Sequence, residues 1–141
     1  MRVLQSFISL KPRSRGFHLV TSEVQRGMPD LESVRAGLAH VMILHTSAGL
    51  TLNENADPDV RTDFRTIFDD LIPEGNPAYV HTLEGLDDMP AHAKATITGS
   101  NVMVPIRNGQ FVLGTWQGIY LGEFRDHGGS RRLVVTVLAD G

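Results

Sequence analysis

Apolar and polar positions change their period several times along this chain, and each change predicts an element. "RVLQSFISLK" (Arg2 to Lys11) alternates imperfectly and predicts a first strand. "PRSRG" reads as a turn and "FHLVT" (Phe17 to Thr21) as a short second strand. Ser22, with Gln25 at the capping-box position, predicts a short helix running to Met28. In "VRAGLAHVMILHT" (Val34 to Thr46) apolar residues stand at 34, 36 and 38 and then at 41 to 44. That pattern predicts a strand with one buried face at first and two near its end. "LTLNEN" (Leu50 to Asn55) then reads as a short strand with Leu50 and Leu52 inward and Thr51 and Asn53 outward.

The period switches to that of a helix in "DPDVRTDFRTIFDDLIP" (Asp57 to Pro73), where Val60, Phe64, Ile67, Phe68 and Leu71 form a stripe. Asp57 is a capping residue, Pro58 suits the first turn, and Pro73 and Gly75 stop the helix. "MPAHAKATITGS" (Met89 to Ser100) predicts another helix, with Pro90 in its first turn and Gly99 at its end. Beyond it the chain becomes β-like: Asn108-Gly109 is a hairpin signal, and "RRLVVTVLA" supplies a last β-branched strand. Local strands with helices inserted between them predict an α+β protein, mainly an antiparallel β-sandwich with two or three helices.

Composition narrows the function classes. The 141 residues suit a single domain, 1–141, with one core. A formal charge of -3, with both signs mixed along the chain, implies no field for nucleic acid or membrane. Cysteine is absent, which excludes disulfides, thiolate metal ligands and cysteine nucleophiles. The N-terminus lacks the long apolar core of a signal peptide, and no stretch reaches transmembrane length, so a cytoplasmic location is expected.

Candidate chemistry gathers in three stretches. "HTSAGLTLNENADPD" (His45 to Asp59) crowds His45, Thr46, Ser47, Asn53, Glu54, Asn55 and Asp57 between a buried strand and a helix N-terminus. "HTLEGLDDMPAHAKA" (His81 to Ala95) brings His81, Glu84, Asp87, Asp88, His92 and Lys94 into a helix start, without the H-E-x-x-H zinc spacing. "GTWQGIYLGEFRDHGGSRR" (Gly114 to Arg132) holds the single Trp116, Gln117, and the anion-binding candidates Arg131 and Arg132. His45, His81 and His92 make a three-histidine set suited to Zn²⁺ with an open fourth position. Alternatively, Glu54, Asp57, Asp87 and Asp88 offer oxygen ligands to Mg²⁺. His18 and His40 sit in strands and read as hydrogen-bonding groups, and His127 lies in a Gly-rich turn.

"HTSAGLTLNENADPDVRTDF", "EGLDDMPAHAKATITGS" and "LGTWQGIYLGEFRDHGGSRR", in that order, resemble the YjbQ-like family, described as secondary thiamine-phosphate synthases; the likeness runs from about Phe17 to the C-terminus. The resemblance implies a β-sandwich with helices, jelly-roll-like and homotrimeric. It implies a pocket in which His45, His81 and His92 hold a divalent metal, Zn or Mg, with Asn53, Glu54 and Asp57 as neighbours. The implied activity is weak thiamine-phosphate synthesis, joining a pyrimidine diphosphate to a thiazole phosphate with release of pyrophosphate. On this sequence Glu54, Asp57 and Lys94 become catalytic candidates, and Ser47, Asn53, Gln117, Arg131 and Arg132 candidates for binding a small-molecule substrate. His127 has no counterpart to carry over. A metal-dependent hydrolase of phosphatase or lactonase type, and a non-catalytic metal- or ligand-binding trimer, fit the same residues.

Overall fold

The computed structural model describes residues 1–28 and 30–141. In chain order the elements are β1 (Arg2–Ser9), β2 (Gly16–Leu19), α1 (Thr21–Arg26), a 3₁₀ turn (Leu31–Ser33), β3 (Ala36–Ile43), β4 (Ala48–Glu54), α2 (Pro58–Leu71), α3 (Asp88–Thr98), β5 (Asn101–Arg107), β6 (Gln110–Phe111), β7 (Gln117–Glu123) and β8 (Arg132–Ala139). All pairing is antiparallel. One sheet has the order β1-β8-β3-β5-β6 and the other β2-β7-β4. The expected α+β architecture, with three α-helices on antiparallel sheets, is therefore present.

Alternation explains the layering. Val41 and Ile43 on β3, Leu50 on β4, Leu121 on β7, and Leu133, Val135 and Val137 on β8 point between the two sheets and form the main core. The opposite face of the smaller sheet carries Phe17 and Tyr120, and α2 and α3 cover it. There Phe17 meets Phe64 and Phe68 of α2 at centroid distances of 5.4 and 5.0 Å. Tilted and edge-on ring pairs of this kind add to the stabilisation from burial.

Local signals decide the boundaries. Asp57 caps α2, its Oδ1 accepting from the Asp59 N–H at 2.9 Å, with Pro58 in the first turn. Asn108 and Gly109 both have positive φ (51° and 76°) and close the β5–β6 hairpin as its two-residue loop. Three expectations need correction. Helix α1 starts at Thr21, so Ser22 lies inside it rather than capping it; Thr21 Oγ1 instead accepts from the Ile119 N–H at 2.8 Å, tying the helix to β7. Strand β3 ends at Ile43, and Met42 and Leu44 face outward, so its second face stays open in one chain. Finally, Ile67 and Leu71 of the α2 stripe are exposed, because only Phe64 and Phe68 reach the sheet.

Candidate metal centre

The site is built at the start of α3. Asp88 and His92 stand four residues apart and so share one face of the helix. The long connection from α2 returns His81 to that face. His81 Nε2 lies 2.6 Å and His92 Nε2 3.2 Å from the same oxygen, Asp88 Oδ2. The two imidazole rings are 5.4 Å apart. The three potential ligand atoms all lie within 4.8 Å of one another. Asp88 is buried, whereas the two histidines are partly open to solvent.

A second layer of contacts holds these groups. Arg125, just past β7, donates from Nη1 to Asp88 Oδ1 at 2.6 Å, from Nε to Asp87 Oδ2 at 2.9 Å, and from Nη2 to the Glu84 carbonyl at 2.9 Å. One guanidinium thus joins the His81-bearing loop to the first turn of α3. The Asp126 N–H also donates to Asp87 Oδ2 at 2.9 Å. Burial alone would push the Asp88 carboxyl up, but the hydrogen bond from His81 and the charge of Arg125 outweigh it and hold it below the usual carboxylate range. Asp87 is lowered likewise: burial opposes, while the Asp126 N–H and Arg125 prevail.

Donor and acceptor logic then shows what the cluster can hold. His92 Nδ1 lies 2.9 Å from the Thr46 carbonyl oxygen. A carbonyl only accepts, so Nδ1 carries the proton, and in the neutral ring Nε2 presents a lone pair. That lone pair faces a carboxylate oxygen, itself an acceptor. Two acceptors this close call for a cation between them, either a second ring proton or a metal ion. An imidazole whose far N–H is held by a backbone carbonyl is the usual support for a metal-binding histidine. Two imidazoles and one carboxylate, His81, His92 and Asp88, make a set suited to Zn²⁺ or another nitrogen-preferring divalent ion, with coordination positions to spare. The donor set is a poor match for Mg²⁺, which prefers oxygen throughout.

The structure brings together two of the three expected histidines and replaces the third. His45 lies outside the cluster. Its Nε2 accepts from the Arg132 backbone N–H at 2.8 Å, so that nitrogen is already engaged. Burial and the nearby Arg131 charge lower its pKa, favouring the neutral ring. Lys94 is buried against Asp69 (2.6 Å). Arg131 is buried against Glu123 (2.8 and 2.7 Å) and also donates to Ser47 Oγ at 3.0 Å, so Ser47 and Arg131 form part of an internal staple. Arg132 lies over the Phe7 ring at 5.8 Å. Glu54 Oε2 accepts from the Asp57 N–H at 3.1 Å, so Glu54 and Asp57 organise the start of α2. Asn53 Oδ1 accepts from the Glu54 N–H, and Gln117 Oε1 from the Gly114 N–H, both at 2.8 Å.

Asp88 belongs to the same candidate stretch as His81 and His92, but its residue type points to an oxygen ligand for Mg²⁺; its four-residue spacing to His92 is the helical signal that joins the two. Arg125 was missed altogether. No sequence spacing points to it, because its partners lie some forty residues upstream.

Fold and cluster together define a small α+β protein of two antiparallel sheets, with a histidine–carboxylate centre where the covering helix begins. The UPF0047 protein YjbQ-like family profile matches residues 6–140. YjbQ of Salmonella typhimurium is 49% identical over 133 residues, covering 94% of this chain and 96% of its own length. The UPF0047 protein sll1880 of Synechocystis is 41% identical over 133 residues, 94% of this chain and 90% of its own. A crystal structure from Thermus thermophilus superposes with a TM-score of 0.82 at 32% identity, covering 94% of this chain and 98% of that one. One from Sulfolobus solfataricus, at 23% identity, reaches 0.85 over 99% of both chains and bears on the fold. This chain belongs to the UPF0047 YjbQ-like family.

Proposed function

We propose that this chain is a divalent-metal-dependent enzyme acting in the cytoplasm on a small phosphorylated metabolite, with the metal held by His81 Nε2, His92 Nε2 and Asp88 Oδ2. The observation that carries this reading is the His92 ring: its Nδ1–H is spent on the Thr46 carbonyl, so its free lone pair meets the carboxylate oxygen that His81 also reaches. A divalent ion there supplies Lewis acidity and activates water near neutral pH. The protein's own part is to fix the three ligands through Arg125 and Thr46, and to leave one side open for substrate.

Weak thiamine-phosphate synthesis belongs to this proposal as a side reaction. Lys94, a catalytic candidate, and Arg131, a substrate-binding one, are the cations that could meet the departing pyrophosphate, but they are engaged with Asp69 and Glu123. The metal would therefore carry that charge, with Arg132 the remaining cation of the expected set. Hydrolysis is the second reading, favoured because three protein ligands leave room for water. Metal analysis of protein purified without added metal tests the centre: near-stoichiometric divalent metal is expected, and none above a His81→Ala/His92→Ala variant would overturn it. Incubation with the two thiamine precursors, and separately with a phosphatase and lactonase panel, tests the chemistry; turnover must depend on His92.

Assembly as a homotrimer is also part of this reading. No helix among the described residues is long and apolar enough to cross a membrane. Yet the outer face of the larger sheet carries two rows of apolar residues, Val3, Leu138, Leu38 and Pro105 in one and Phe7, Val134 and Met42 in the other, on either side of a row of Gln5, Thr136, His40 and Met103. Val3 and Phe7 are about three-fifths exposed (61% and 60%). Exposed apolar rows of this size on one sheet face support an interaction surface. We read the fold as a rolled hairpin of jelly-roll type, with β1 beside β8, β2 beside β7 and β3 beside β5, in which α2 and α3 take the place of a strand next to β4. Sedimentation of Phe7→Lys, expected to lower the mass of the assembly, tests the interface.

A further inference from the structure

Met89 and Ala93 follow the ligands Asp88 and His92 by one residue each, so they form the adjoining stripe of α3, turned by about 100°. That stripe is one wall of a cavity of about 280 Å³. Ala78, Tyr79, Val80 and His81, from the connection that follows α2, line the rest. His81 thus belongs both to the cavity and to the metal centre, where its Nε2 reaches Asp88 Oδ2. Two larger hollows, one by Gln25 and Gly109 and one by Leu19 and Gln117, include no residue of that centre.

Position, chemistry and size restrict what the cavity receives. Around the cluster, Arg125 occupies Asp88 Oδ1 and the Thr46 carbonyl occupies His92 Nδ1. The His81 side is where a molecule bound to an ion at the centre has room to extend. Apart from His81, the lining side chains are alanine, tyrosine, valine and methionine, and none carries a charge. A charged group placed there loses water and gains no partner, whereas an apolar one gains by leaving water. A space of about 150 Å³ takes a benzene-sized molecule, so this one takes a substituted ring or about two fused rings. Val80 is 95% exposed and stands at the rim, so the cavity is open to entry.

We propose that the substrate of the metal centre joins a metal-binding oxyanion to an uncharged apolar group, and that this cavity receives the apolar group. The inference rests on the metal reading above and adds the second half of the substrate. A phosphate on an apolar skeleton is preferred, and a sugar phosphate, whose hydroxyls would face Met89 and Ala93, is disfavoured.

Calorimetric titration of the zinc-loaded full chain with methylphosphonate and phenylphosphonate tests this. Neither carbon–phosphorus bond is hydrolysed, so binding is read without turnover. Phenylphosphonate is expected to bind about tenfold more tightly, the worth of partly burying one ring. It should also shift the methyl NMR signals of Met89 and Ala93, which methylphosphonate should leave in place. Ala93→Leu fills the cavity from α3. It should bring phenylphosphonate down to the affinity of methylphosphonate, with zinc content and methylphosphonate binding unchanged. Should that variant not fold, the Met89 and Ala93 shifts in the wild-type chain decide. Zinc bound at full occupancy with no preference between the two phosphonates overturns the apolar subsite and leaves the metal centre standing. A preference without shifts at Met89 and Ala93, or one that survives in folded Ala93→Leu, places the ring elsewhere and overturns it too. If the chain binds no zinc, the metal reading fails and the subsite falls with it.

Discussion

Two charged networks meet at the start of the loop after β7, one on Glu123 and one on Arg125, and they differ in whether they are closed. Glu123 and Arg131 are buried together, with Arg131 making two contacts to the carboxylate and others to Ser47, while the Arg125 backbone N–H donates to Glu123 as well. Every charge there has its opposite. Around Asp88, by contrast, two imidazoles converge on one carboxylate oxygen from the solvent side, and Arg125 occupies the other oxygen. A closed buried pair serves the fold; an open cluster with acceptors facing each other offers ligand atoms to a cation, as proposed above. Residue type alone would have ranked Arg131 and Lys94 as functional, and burial reverses that ranking.

The largest expected effect lies in the closed network. Arg131→Met leaves Glu123 charged and buried without its partner, and should cost about 3–5 kcal/mol in urea unfolding, while metal content per folded molecule is unchanged. Adding Glu123→Leu should restore part of that loss. If Arg131→Met instead abolishes metal binding with stability intact, the distinction between the two networks is gone.

Asp88→Asn comes next. It keeps the shape and removes the anion, so metal content should fall to background while the fold persists. Arg125→Gln touches no proposed ligand but frees the His81 loop from α3. A loss of roughly 10–100-fold in metal affinity is expected, the usual range for groups that orient ligands. Zinc titration against a competing chelator measures both, and an Arg125→Gln affinity equal to wild type would show that the clamp is dispensable.

The smallest effect is on pH dependence. The native pKa of His45 is lowered, so as pH falls through about 6.5 the unfolded chain takes up a proton that the native chain resists. The unfolded state then binds more protons, and stability decreases on acidification. The lowered Asp88 carboxyl acts in the same direction further down, below the ordinary carboxylate range. His45→Gln should flatten the stability profile just below pH ~6.5 and leave the steeper acid limb in place. An unchanged slope would mean that His45 does not distinguish the two states.

Much of the fold was legible. The Asn108-Gly109 turn, the Asp57 cap and the β-branched run of β8 are short-range signals, each decided by backbone sterics or by one face meeting the core. The misreadings fall where distant segments compete for a local group. Thr21 rather than Ser22 opens α1, with its hydroxyl given to Ile119 on a strand some hundred residues away. The open side of β3 was misread because apolar residues look alike whether they face a core or await a partner.

The amino-acid order by itself determined the helix and strand periods, the absence of thiolate chemistry, and the presence of His81 and His92 in one segment, because periodicity and residue type are local properties. Tertiary structure decided the rest: that Asp88 and not His45 completes the cluster, that Arg125 binds its two halves together, and that Lys94 and Arg131 are spent on Asp69 and Glu123. The reason is physical. A charged side chain's role depends on which opposite charge or lone pair lies within about 3 Å of it, and that proximity is created only when sheets and helices pack.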